Sequence, residues 1–211
     1  MNPYLPNPNG SGFKRPAPTV LGGGLPSPSH TLLSGLIAPK RSVFVSYHHG
    51  DNLLSGDQAY YDQLSKVASA QFQLMTDKSL RTTIGSDNHD YIIQRIRTNH
   101  INGSSCTIVL CGAHTYQRKY VDWEIKATLD KGHGIVAVYL PTAPSSDDGI
   151  TVPRRLYPNI KNDYAYWVSW EAFTQSAKNF KACIEFAIAR SNNAELKKLI
   201  HNPKEIKKQN G

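Results

Sequence analysis

Cysteine is scarce in this chain of 211 residues, which has only Cys106, Cys111 and Cys183. They form no CxxC pair and no disulfide framework, a usage that fits a reducing cytoplasm. Cys106 and Cys111 flank an apolar stretch and read as small core residues. No apolar run approaches the roughly 20 residues needed to cross a bilayer, so no membrane partner is expected. The start, Met1 to Gly10, lacks the basic-then-apolar order of a signal peptide. Acidic side chains are also in deficit: 16 Asp and Glu stand against 24 Lys and Arg, a net charge of +8. Part of that excess lies towards the ends, at Lys14, Arg15 and Lys40 in front and Lys197, Lys198, Lys204, Lys207 and Lys208 behind. No aromatic-interleaved basic stripe accompanies it, so nucleic acid is not an expected partner. Glycine-rich phosphate loops are missing too. Gly132-His133-Gly134 does not extend to GxGxxG and no GK[ST] occurs, which speaks against dehydrogenase and NTPase chemistry.

What is present suits one ordinary domain, with 39% hydrophobic and 19% charged residues. Residues 1–40 are rich in Pro, Gly, Asn and Ser, with Pro3, Pro6, Pro8, Pro16, Pro18, Pro26, Pro28 and the run Gly22-Gly23-Gly24. Such a segment buries too little to offset its chain entropy, so a disordered extension is expected there. The folded domain is expected over 41–190, followed by a basic tail over 191–211. Ser42–Tyr47 reads as a first strand and Asp57–Ala68 as a helix with apolar residues at Tyr60, Tyr61, Leu64 and Val67. Gln71–Met75 alternates like a strand, and a helix from about His89 to His100 follows a polar stretch. Cys106–Leu110 and Ile135–Leu140 are continuously apolar, as strands buried on both faces must be. Between them Val121–Lys131 reads as a helix stopped by Gly132. A long polar loop contains Pro144, Pro153 and Pro158. Tyr164–Trp170 reads as a last strand and Glu171–Arg190 as one closing helix. This alternation argues an α/β, flavodoxin-like, three-layer doubly wound parallel sheet of about five strands. Ligands of such sheets gather at the carboxyl ends of the strands, here Ser46–Asn52, Thr76–Asn88, Gly112–Tyr120 and the loop after Leu140.

Within that surface Tyr120 and Glu124 stand one helical turn apart, so an aromatic ring and a carboxylate share a face. The pairing suits stacking a flat heterocycle and stabilising a sugar cation. Two plainer accounts stand beside it. Glu124 is equally a solvated first-turn acid complementing the helix dipole, and Trp123 is by default a core ring about 100° from Glu124. His48, His49 and Asp51 invite a metal reading, but no further ligand has zinc spacing, so no metal is expected.

Val43-Phe44-Val45-Ser46-Tyr47 is similar to the first strand of TIR domains. The stretch Thr107–Gly112, then Thr115, then Arg118-Lys119-Tyr120-Val121-Asp122-Trp123-Glu124-Ile125 resembles the TIR-like family of Thoeris antiphage defence. Its aromatic-x-x-x-Glu spacing matches the WCxxE element of TIR enzymes, with Tyr120 for the usual Trp and Val121 for the usual Cys. Tyr47-His48-His49 stands where a basic run is more typical. The resemblance covers about residues 42–140 and implies an enzyme that cleaves NAD at the nicotinamide–ribose bond. NAD is then a substrate, and no cofactor is implied. The Thoeris branch also implies a cyclic ADP-ribose-type product that activates a separate effector protein, and TIR enzymes often self-associate. Glu124 takes the catalytic position. Tyr120 or Trp123 would stack a ring of NAD, Ser46, Tyr47 and His48 would line the opposite wall, and Arg81 or Arg118 would meet the pyrophosphate. Two other functions compete: a non-enzymatic TIR scaffold acting by self-association, and a receiver- or flavodoxin-like domain. The receiver is disfavoured because Leu110-Cys111-Gly112 offers no phosphoacceptor Asp.

Overall fold

The computed structural model describes residues 4–5, 41–50, 56–68, 72–75, 89–96, 101–146 and 149–208. The expected disordered extension over 1–40 falls, apart from Tyr4 and Leu5, outside the described residues. In chain order the elements are β1 (Tyr4–Leu5), β2 (Arg41–Ser46), α1 (Gln58–Val67), β3 (Phe72–Met75), α2 (His89–Ile96), β4 (Ser104–Cys111), α3 (Lys119–Lys131), β5 (Gly134–Tyr139), β6 (Ser145–Ser146), β7 (Gly149–Thr151), α4 (Leu156–Lys161), β8 (Tyr166–Ser169), α5 (Trp170–Thr174), α6 (Ala177–Asn192) and α7 (Ala194–Lys198).

Five strands form one parallel sheet in the order β3-β2-β4-β5-β8. β4 lies in the middle, which explains its unbroken apolar sequence: both its faces are covered. The two-residue period sorts its side chains. Cys106, Ile108 and Leu110 join Val43, Val45, Val136 and Val138 in a core completed by Leu64 of α1 and by Phe173, Phe180, Ile184 and Ala187 of α5 and α6. Val109 and Cys111 face the other way, onto Val121, Ile125 and Leu129 of α3 and Leu156 and Ile160 of α4. Burial of the two cysteines raises both thiol pKa values, Cys106 to about 12, so they act as packing groups. After β2 the chain steps outward to β3 and then returns to the far side of β2 with β4. That reversal puts the topological switch point, and its crevice, at the carboxyl ends of β2 and β4. This is the expected α/β flavodoxin-like architecture.

Three local features differ from the sequence reading. The polar loop after Leu140 contains the short antiparallel pair β6–β7, joined by β1, and the helix α4. Pro158 fits inside α4 because it lies in the first turn, where a backbone N–H has no intrahelical acceptor. The closing helix is broken in two. The Ser169 side chain accepts from the Ala172 N–H to start α5, and that of Ser176 accepts from the Asn179 N–H to start α6. Residues 199–208 run back along the domain, burying Ile206 against Ile96, Ile101, Trp123 and Ala127. Among the described residues no helix is long and apolar enough to cross a membrane.

Candidate active site

Ser46 is the last residue of β2 and Glu124 lies in the second turn of α3. Val43, Val45 and Tyr47 belong to the core under α1 and α6, so the alternating residues Phe44 and Ser46 face the α3 layer. On α3, Val121, Ile125 and Leu129 make the apolar stripe over β4 and β5. Glu124 and Thr128, four residues apart, share a face that meets polar groups on the sheet instead. Ser46 Oγ donates to Glu124 Oε2 at 2.5 Å. Thr128 Oγ1 donates to the Glu124 carbonyl at 2.8 Å and lies 2.8 Å from Thr107 Oγ1 of β4. Glu124 is only 6% exposed and Ser46 1%. The carboxylate is therefore buried, and the solvated helix-dipole account of it does not hold.

The other residues singled out from the sequence lie in several surroundings. Tyr47 follows Ser46 and so points to the opposite face, where its hydroxyl donates to Gln58 Oε1 at 2.8 Å and its ring stacks on Tyr61 at 5.1 Å. His48 is buried, with its ring 5.9 Å from that of His114, and its carbonyl accepts the Asp57 N–H. Tyr120 is half-buried and meets Trp123 edge-on at 5.1 Å, with the Lys119 ammonium over both rings. Trp123 is buried with Ile96, Ile101, Ala127 and Ile206, and its indole N–H donates to the Lys207 carbonyl at 2.9 Å. Arg118 precedes α3 and lies, with Asp122, about 120–160° around the helix from Glu124. Arg81, Asp51 and the Thr76–Asn88 loop lie outside the described residues.

Two polar networks are absent from the sequence reading. The first lies at the carboxyl end of β4. Asp57 is buried, and Thr115 Oγ1 sits 3.0 Å from its Oδ2 while accepting the Gly112 N–H. Burial raises the Asp57 pKa, opposed by the Thr115 hydroxyl, the His48 backbone and the charge of His114. A Cβ on Gly112 would stand 2.1 Å from Asp57 Oδ1, so the close approach requires glycine. The second network ties down α3. Arg155 Nε and Nη2 donate to the two oxygens of Asp122 at 3.0 and 3.1 Å, and its Nη1 donates to Asn202 and to the Pro203 carbonyl. Only the acid at Asp122 hints at this second network in sequence, because its partners are 33 or more residues away.

With the geometry in place, the likeness to known proteins can be located on it. A family model described as Thoeris protein ThsB, TIR-like domain, matches residues 44–145. That span takes in the second half of β2, the strands β4 and β5, α3 and both Ser46 and Glu124. A protein of Bacillus cereus (strain MSX-D12) with the name "Putative cyclic ADP-D-ribose synthase ThsB1" is 24% identical over 106 residues, 47% of this chain and 52% of that protein. The chain thus spans about half the length of this relative.

Proposed function

Because residues 44–145 are a TIR-like domain of the Thoeris ThsB kind, we propose that this protein cleaves NAD at the nicotinamide–ribose bond, with Glu124 as the catalytic carboxylate. One observation carries the reading. The glutamate in the aromatic-x-x-x-Glu position is buried at the switch point of the parallel sheet, with one oxygen held by the hydroxyl that ends β2. The relative's name adds support for a cyclised product.

Cleavage of this bond builds positive charge on the ribose, as glycoside hydrolysis does. Nicotinamide departs as a neutral molecule from a cationic ring and needs no proton, so a single carboxylate suffices. Glu124 stabilises the sugar cation, and its fixed position means no reorganisation is needed as charge develops. Ser46 is a positioning residue: its hydrogen bond selects one orientation of the carboxylate. Tyr120, one turn before Glu124, offers a ring face to a flat base. The adenine base or water then takes the ribose carbon, giving a cyclic ADP-ribose-type product or linear ADP-ribose. In the reading adopted here the product is cyclic and activates a separate effector protein, the enzyme works in the cytoplasm, and it self-associates.

Nicotinamide release from NAD by the purified protein is the direct test. Glu124→Gln is expected to lower it by at least about 10²–10³-fold, the scale of losing one preorganised electrostatic contact, with the thermal midpoint little changed. Turnover retained in that variant would overturn the assignment. No nicotinamide release from the wild-type protein at high concentration, with assembly that survives the Glu124 change, would favour the non-enzymatic scaffold.

A further inference from the structure

On the side of α3 turned away from Glu124 lies a cavity of about 570 Å³. It is bounded by the first turn of α3, by the segment preceding α4, and by residues 201–207. Its charge is lopsided: Arg118, Arg154, Arg155 and Lys207 line it against the carboxylates of Asp122 and Glu205. Of these, Arg155 and Asp122 neutralise each other through their two-pronged bond. Among the described residues no carboxylate forms an ion pair with Arg118, Arg154 or Lys207. Arg118 keeps a buried Nε without a hydrogen-bond partner among those residues. Among the described residues Lys207 Nζ reaches only the Tyr116 carbonyl, at 3.4 Å. Burial lowers the Lys207 pKa, and the Arg118 charge pushes it the same way against the pull of Asp122.

Cations held together in this way repel each other unless an anion lies between them. The start of α3 strengthens the case, since its N-cap residue Arg118 provides no side-chain acceptor for the first helical amides. Tyr116, Pro153, Pro203 and Ile206 give the cavity apolar walls as well. A volume in the range of small-molecule sites, cationic groups on one rim and a tyrosine beside them match a phosphorylated compound of nucleotide size.

We infer that this cavity binds a phosphate-bearing small molecule of nucleotide size, gripped by Arg118, Arg154 and Lys207, at a site separate from the carboxylate of the proposed NAD chemistry. Asp122 and Glu124 lie about 160° apart around α3, so one ligand cannot rest on both faces of the helix. The inference stands whether or not NAD is cleaved.

Titration calorimetry with inorganic pyrophosphate and with ADP tests it, using adenosine as the uncharged control. Saturable binding of both anions and none of adenosine is expected. Affinity should fall at least about 10-fold in Arg154→Gln/Lys207→Gln, the loss of two charge-assisted contacts, and stay at the wild-type value in Glu124→Gln. The exposed Arg154 makes no hydrogen bond among the described residues, so Arg154→Gln alone serves should the double variant fold poorly. Three results would overturn the inference: no saturable binding at millimolar anion, equal binding by the cavity variants, or loss of binding in Glu124→Gln. The last would put the anion in the proposed NAD site.

Discussion

Two carboxylates two residues apart on α3 face opposite sides of the helix. Asp122 has both oxygens in the fork of Arg155, and its Oδ2 also accepts the Lys207 N–H at 3.0 Å. A guanidinium so placed matches the carboxylate's charge and geometry, and the result is a clamp between α3, the start of α4 and the returning segment. Among the described residues Glu124 accepts from the Ser46 hydroxyl, on a face of α3 that also carries Thr128. A hydroxyl in that place fixes the direction of the carboxylate. The contrast sets an acid clamped into the architecture beside the acid to which the proposed reading gives the catalytic role, both on one helix.

The sharpest way to break this contrast is to exchange the readouts. Asp122→Ala leaves Arg155, whose side chain is 4% exposed, buried without its counter-charge. Loss of one partner of a buried pair costs about 3–5 kcal/mol, which denaturant unfolding will show as a lower midpoint. Glu124→Gln should give the reverse pattern, with activity lost and unfolding near the wild-type midpoint. If both variants lost stability equally, Glu124 would be an architectural acid and the proposed chemistry would lose its main support.

Ser46 sharpens the same comparison at a smaller scale. Ser46→Ala deletes the bond that orients Glu124 and is expected to lower kcat about 10- to 100-fold, the range that follows from misplacing a reacting group. KM should move little, and Ser46→Thr, which keeps a hydroxyl, should recover most of the loss. A raised KM at constant kcat would instead make Ser46 a substrate contact.

How far the sequence foretells these arrangements depends on the distance over which each is set. The central sheet is legible because β4 and β5 are apolar without interruption, a pattern that follows from being covered on both sides. Glu124 is legible through a spacing of four residues to Tyr120, and Ser46 through its place at the end of a strand. Their contact joins residues 78 positions apart, and nothing local encodes it. The strand period does separate Ser46 from Tyr47, so grouping them on one wall overlooks the alternation of side chains. The break between α5 and α6 is hidden by apolar periodicity that continues through Phe173, Ala177 and Phe180. Only the N-cap chemistry of Ser176 marks it. Trp123 looks available to a ligand until the indole N–H is traced to the carbonyl of Lys207, 84 residues on.

Asp57 completes the set as a buried acid held, like Glu124, by a hydroxyl, but outside α3. Its pKa is raised above the ordinary carboxylate range, with desolvation the largest cause. A carboxyl group with that shift favours folding most when protonated. Its contribution is fully present below the unfolded pKa and fades as pH rises through the folded one, where burying the charge becomes a cost. Asp57→Asn removes the charge and keeps an oxygen able to accept from Thr115. At neutral pH the variant should therefore unfold at a temperature no lower than the wild type. As pH falls towards 4, the wild type should gain on the variant while both lose stability from other groups. Thermal scans of the two proteins across that range measure the difference directly. A gap that widened in favour of Asn on acidification would mean that hydrogen bonds from Thr115 and the His48 backbone outweigh desolvation at Asp57. The group would then behave as an ordinary stabilised carboxylate, nearer to Asp122 than to a buried acid that resists ionisation.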